Sequence, residues 1–245
     1  KGQARAKLYT VDPEGKRLVE GSLRPHRDRM RRVMGRTQSP LLRYDVFETN
    51  ADDLISDALR EATRVDLSLS NGFRFGLPVL AGPILEADLW NLLPMDARVK
   101  VGWVTGKQLR SYLEHELELV FARDPYTLSG GWGPRASGLT LSYKAAAPRG
   151  ERVVSMLVND QPVRDDQRYT IAGCEREGEP LDLVCRLRGT HDVRIFRATI
   201  HQVLADYLKA HPVISPRRDG RSWAVDQRPV EFSQDTLLHR ITGQA

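Results

Sequence analysis

Arginine beside a glycine-bearing turn is the pattern in this chain best suited to chemistry. VDLSLSNGFRFG at 65–76 carries Arg74 next to Asn71-Gly72, and DPYTLSGGWGPRASG at 124–138 carries Arg135 behind Gly130, Gly131 and Gly133. A guanidinium offers a rigid fork of N–H donors that matches the paired oxygens of phosphate, sulfate or carboxylate. Glycines let the backbone approach such a ligand closely. Asn71 can shape its turn or donate to a substrate, and Trp132 can wall a pocket or pack inward. The plain alternative for both blocks is a glycine-rich surface turn with a solvated arginine.

The elements that must position these residues follow from the patterning. Val65, Leu67 and Leu69 alternate with polar residues and predict a strand that ends at the Asn-Gly turn. Asn50 is expected to cap a helix over 51–62, with Ile55, Ala58 and Leu59 on its apolar face. Thr105-Gly106 opens a second helix to Phe121, and a last helix over 198–210 stops before Pro212. Strands are expected at 139–143, 153–158 and 169–172, with Asn159-Asp160 as a turn, and VRIF follows a loop at His191-Asp192. LYTVDPEGKRLVEG within 1–22 reads as a strand hairpin around Pro-Glu-Gly, and 25–35 as a helix. After Pro212 a polar tail wraps the surface, with Trp223 as its packing anchor. Strands interleaved with helices give an α+β chain, layered in an α/β manner, with no internal repeat.

Other chemistry-bearing residues are weaker candidates. The six histidines, His26, His115, His191, His201, His211 and His239, show no metal-ligand spacing, and HELEL at His115 is not a His-Glu-x-x-His motif. Cys174 and Cys185 are the only cysteines; they are either a disulfide pair or two buried free thiols. The chain of 245 residues, 40% hydrophobic, can bury a substantial core. It has no run of about 18 apolar residues, so no membrane span is expected, and no signal peptide is read. The net charge of +5 is concentrated in Arg24, Arg27, Arg29, Arg31, Arg32 and Arg36. Without interleaved aromatics this cluster suits a domain contact or solubility rather than nucleic acid.

Together, RRVMGRTQSPLLRYDVFETNADDLISDAL at 31–59, SNGFRFG, DLWNLLPMDARVKVGWVTGKQLRSYLE at 88–114 and the second glycine block resemble the C-terminal domain of the 5'-nucleotidase family of dinuclear metallohydrolases. DPYTLSGGWGPRASGL and YTIAGCEREGEPLDLV at 169–184 look most like the thiosulfohydrolase branch of the bacterial sulfur-oxidation (Sox) system. The resemblance implies helices covering mixed sheets, and a division into 1–36, the tail of a preceding metallophosphoesterase domain with a linker helix, and 37–245, a substrate-binding domain. It implies substrate contacts at Asn71, Arg74, Trp132 and Arg135, no catalytic or metal-binding residue in this stretch, and two divalent metals, manganese or zinc, held by an N-terminal partner domain. It implies a periplasmic or extracellular hydrolase acting on a small anionic substrate or on a thiosulfonate carried by a protein, this stretch alone being inactive. One departure is visible: where nucleotidases of this family carry a base-stacking aromatic and a glycine run, this chain reads AGCEREGEP. The departure favours a substrate smaller than a nucleotide or one carried on a protein. A non-catalytic binding module is the remaining alternative.

Overall fold

A computed structural model describes residues 11–70, 76–130, 132–175 and 177–227. Asn71, Arg74, Gly131, His239, residues 8–10 of the expected hairpin and the end of the tail lie outside them. Helices are α1 (Pro13–Leu23), α2 (Arg27–Met30), α3 (Asn50–Thr63), α4 (Glu86–Leu92), α5 (Gly106–Phe121) and α6 (Ile200–Ala210). Strands are β1 (Val33–Thr37), β2 (Leu67–Leu69), β3 (Gly82–Leu85), β4 (Arg98–Thr105), β5 (Ala136–Ser137), β6 (Leu139–Tyr143), β7 (Val153–Val158), β8 (Gln161–Pro162), β9 (Arg168–Cys174), β10 (His191–Thr199), β11 (Val213–Ile214) and β12 (Ser222–Ala224). They form sheets in the orders β11-β1-β3, β10-β4-β9-β2-β5 and β12-β6-β7-β8. The α+β class and the layering of helices on mixed sheets are as expected.

The five-stranded sheet separates two cores. On one side Leu67, Leu69, Val104 and Ile171 pack with Leu109, Leu113 and Leu117 of α5 and with Leu139, Leu141, Met156 and Val158. On the other, Val99 packs with Leu54, Ile55, Ala58 and Leu59 of α3 and with Val203, Leu204 and Leu208 of α6. The two-residue period of a strand makes this possible, because Val99 and Val104 of β4 point to opposite faces.

The main elements start where their caps say. Thr105 and Thr199 each accept from the amide of a glutamine three residues on, Gln108 and Gln202, whose side chains answer the cap amide. For α3 the cap is Thr49, not Asn50: Thr49 Oγ1 accepts from Asp52 N at 3.2 Å. Asn50 instead accepts from Leu42 N at 3.0 Å and donates to Pro40 O at 2.6 Å, tying the preceding loop to the helix.

The N-terminal expectations need correction. Residues 13–23 are helix rather than hairpin: Asp12 accepts from Gly15 N at 2.6 Å and Pro13 occupies the first turn. Asp-Pro suits a turn, but it equally suits a helix start, where the missing proline N–H costs nothing. The range 25–35 is not one helix. A 3-10 turn at Arg24–His26 and the short α2 give way to β1, which pairs with β3 and β11. Gly35 sits in that strand because α6 crosses it closely: a Cβ there would lie 3.3 Å from Leu208 Cδ2. The arginine cluster is used in docking, since Arg29 and Arg32 both reach Glu86 of α4, Arg32 at 2.7 Å.

β10 begins at His191 itself, whose ring stacks on Trp103 with centroids 4.2 Å apart. Asn159 and Asp160 both take positive φ, 51° and 62°, and turn β7 into the short β8 rather than directly into β9. Trp223 is 42% exposed while Ser222 and Ala224 are buried, so strand alternation turns the tryptophan outward instead of anchoring it. Cys174 and Cys185 are free thiols. Cys185 fills the space beside Gly173, in one core, whereas Cys174, one residue along the strand, packs against the other. Among the described residues no helix is long and apolar enough to cross a membrane.

Candidate substrate-binding site

Strand pairing brings the two glycine-bearing blocks together. β2 runs parallel to β9 and antiparallel to β5, with Leu69 opposite both Gly173 and Ala136. One residue further, Ser70 N donates to Arg135 O at 3.0 Å. The segment leaving β2, the segment entering β5 and the segment leaving β9 therefore share one end of the sheet. Carboxyl ends of parallel strands are where open sheets bind ligands, because loops diverge there. Asn71 and Arg74 belong to the first of these segments. Its far end is held at Gly76, with φ at +86°, where a Cβ would meet Asn91 O at 2.5 Å, so no other residue fits.

Arg135 is enclosed, at 2% exposed. Its guanidinium donates to the carbonyls of Asp45 (2.5 Å), Val46 (3.2 Å), Phe47 and Gly133 (3.2 Å), and its Nε lies 3.7 Å from Asp52 Oδ2. The fork expected to face an anion thus grips the 45–47 turn from behind. Trp132 is half-buried and meets Tyr44 edge-on at 5.7 Å, while Tyr44 is 50% exposed. These two rings form an aromatic wall beside the loop. Tyr44 was not singled out in the sequence; only its place in LLRYD, ahead of a capped helix, pointed to it.

Asp52, fully buried, ties this region together. Its Oδ1 accepts from Arg43 Nη2 at 2.8 Å, Arg43 Nε at 3.1 Å and Ser70 Oγ at 2.9 Å, and its Oδ2 accepts from Thr49 Oγ1 at 2.8 Å. One carboxylate thereby links the end of β2, the start of α3 and the 43–47 turn, and Arg43 also donates to Leu92 O. On β4, Lys100 is completely buried and donates to Pro180 O at 2.7 Å and Leu183 O at 3.2 Å, with Glu175 Oε1 at 3.4 Å. Arg98 Nε pairs with the other Glu175 oxygen at 2.6 Å. The ring-free stretch after β9 is thereby fastened to the sheet.

The described residues do not fit a dinuclear metal centre. His201 bonds Leu93 O at 2.7 Å and meets Trp90 edge-on, His191 stacks on Trp103, and His211 faces Glu61. Among the described residues the single group that can gather around an ion is Glu48, Asp53 and Asp219, with no imidazole.

A layered α+β domain, with helices covering mixed sheets, is the class that the fold defines. Residues 33–175, more than half of the chain, match the family described as 5'-nucleotidase, C-terminal domain, and the chain belongs to that family. The 5'-nucleotidase precursor from Thermus thermophilus superposes with a TM-score of 0.74 at 19% identity, covering 88% of this chain and 44% of that one. The sulfate thiohydrolase SoxB of the same genus superposes with a TM-score of 0.76 at 24% identity, covering 88% and 39%. Endonuclease YhcR of Bacillus subtilis (strain 168) is 27% identical over 124 residues, 51% of this chain and 9% of the endonuclease. The chain thus spans less than half the length of each of these proteins.

Proposed function

We propose that this chain is the substrate-recognition part of a metal-dependent hydrolase acting on phosphate or sulfur-oxyanion esters, its metals held by a separate N-terminal domain. The observation that carries the reading is that the end of β2 at Ser70, the entry to β5 at Arg135 behind Trp132, and the end of β9 lie at one sheet end. In this reading Arg74 binds the anionic part of the substrate and Asn71 shapes or donates from the same turn. Trp132 with Tyr44 walls the pocket. Arg135 is a positioning residue: it holds the 45–47 turn that carries the wall, since both of its Nη groups are engaged by carbonyls. Two divalent metals held by the N-terminal domain would supply activation of the attacking water, and the side chains named above would bind and orient the substrate.

Between the two substrate classes, the ring-free stretch fastened by Lys100 favours a substrate without a nucleobase, as in a Sox-type thiosulfohydrolase that releases sulfate from a carrier-protein cysteine. The similarity to SoxB supports this as well as the nucleotidase reading. The test uses the longest polypeptide that contains this chain, loaded with manganese or zinc. AMP hydrolysis is measured beside sulfate release from a carrier-bound thiosulfonate. Sulfate release without AMP turnover, reduced at least tenfold by Arg74→Ala, is the expected result. AMP turnover with the same sensitivity establishes the nucleotidase reading, and silence in both assays leaves a non-catalytic binding module.

A further inference from the structure

Behind Arg135, the C-terminal segment 219–224 closes over the start of α3 and leaves a small cavity lined by Glu48, Asp53, Arg135, Leu139, Arg221 and Ser222. Its volume is about 10 Å3, room for one atom-sized occupant. Asp53 is 2% exposed, and neither of its carboxylate oxygens has a hydrogen-bond partner. A buried carboxylate with two idle oxygens is costly unless something occupies the space before it.

The neighbouring groups show what that occupant must be. Glu48 Oε1 accepts from Asp219 N at 2.7 Å and Gly220 N at 3.1 Å, and Oε2 accepts from Ser222 N at 3.5 Å. Asp219 and Asp57 are both engaged by Arg221, at 2.6 and 2.8 Å, and the same guanidinium lies 3.8 Å from Asp53. One arginine therefore serves three aspartates, with Glu48 adding a fourth negative charge. Arg135 also lines the cavity: its Nη groups donate to backbone carbonyls, while its Nε, 3.7 Å from Asp52, has no hydrogen-bond partner, so two guanidiniums stand against these four carboxylates. The charge balance is left negative, and a positive occupant corrects it.

We infer that Glu48, Asp53 and Asp219 form a site for a hard divalent cation of the calcium class, fastening the C-terminal segment to α3. One carboxylate oxygen from each lies within 4.8 Å of the others. Calcium takes oxygen ligands at about 2.3–2.6 Å in flexible geometry, whereas magnesium demands near-ideal octahedral geometry at about 2.0–2.1 Å, which three carboxylates fixed by other contacts meet less readily. All-carboxylate donors without imidazole or thiolate select such hard ions over zinc or copper. Asp219 is exposed and borders an open groove of about 540 Å3 that also reaches Asp57 and Arg221, which gives the ion and its remaining waters a route in. The competing occupant is a proton: burial, opposed by Arg221 and reinforced by Glu48 and Asp219, pushes the Asp53 carboxyl up to about 8. Proton and cation make opposite predictions for a neutral replacement.

The experiment titrates calcium chloride into the chelator-stripped chain, following heat release by calorimetry and the thermal midpoint by circular dichroism. The expected result is one saturable calcium per chain and a midpoint that climbs by several degrees as the site fills. Asp53→Asn and the exposed-site variant Asp219→Asn each abolish the calcium response, while Asp160→Asn, in the neighbouring groove, keeps it. Asp219→Asn guards against Asp53→Asn failing to fold. The inference is overturned if calcium, magnesium and manganese all leave the folded chain's midpoint unchanged, or if calcium binding survives in both site variants. A metal-independent rise in midpoint for Asp53→Asn overturns it in favour of the proton.

Discussion

Asp52 shows how much of the pocket wall depends on a single buried charge. Its partners come from three places in the chain, Arg43, Thr49 and Ser70, and Arg135 approaches within 3.7 Å. Asp52→Ala leaves the fully buried Arg43 without its counter-charge, so the expected cost is about 3–5 kcal/mol. Urea unfolding of the variant measures this. A loss below about 1 kcal/mol would mean that the network is not what holds the wall. Arg135→Met is expected to raise KM more than it lowers kcat in the hydrolase assay, because the guanidinium fixes the 45–47 turn instead of touching the reacting group. A loss confined to kcat would return Arg135 to direct substrate contact.

At the scale of elements, two docking arrangements carry tests. Glu86 receives Arg29 and Arg32 and so fastens α2 to the start of α4. Burial alone pushes its carboxyl up, but the hydrogen bonds and charges of the two arginines together hold it below its ordinary value of 4.5. A depressed acid contributes stability above its unfolded pKa and loses it as pH falls through the folded one. Wild type is therefore expected to exceed Glu86→Gln in urea midpoint at neutral pH, with the gap closing as pH falls below about 4.5. An unchanged gap down to pH 3 would contradict the docking role. In α1, no residue is buried, so Asp12→Ala should cost about 1 kcal/mol of helix stability. That loss is expected as faster amide exchange at Gly15 and Lys16, with the global unfolding midpoint unmoved.

For the whole molecule, the five-stranded sheet is shared by both cores, and β4 contributes side chains to each. Leu109→Ala on α5 and Leu204→Ala on α6 should each cost about 2–5 kcal/mol and leave a single unfolding transition. Two separated calorimetric transitions in either variant would show that the cores unfold independently. The same sheet explains which parts of the architecture were legible beforehand. β6, β7, α5 and α6 were readable because their periodicity and flanking residues, such as Thr105 before Gly106, act within a few positions. Residues 13–22 and 25–35 were misread because an Asp-Pro pair suits a turn and a helix start equally. The choice between helix, turn and strand there is made by pairing of β1 with β3 and β11.

What the sequence by itself determined was the class of chain: alternating elements of an α+β fold, the family, and the two glycine-bearing blocks from which a pocket can be built. Glycine placement and local caps suffice for that, because they restrict the backbone before any distant contact forms. Only the tertiary structure decided what each polar group does. Arg135 looked like an anion fork, yet it became a clamp on backbone carbonyls when the 45–47 turn folded over it. The acidic cluster joins Glu48 to Asp219 across 171 positions. No spacing rule covers such a distance, since charge and hydrogen-bond satisfaction are settled by which groups burial excludes from water together.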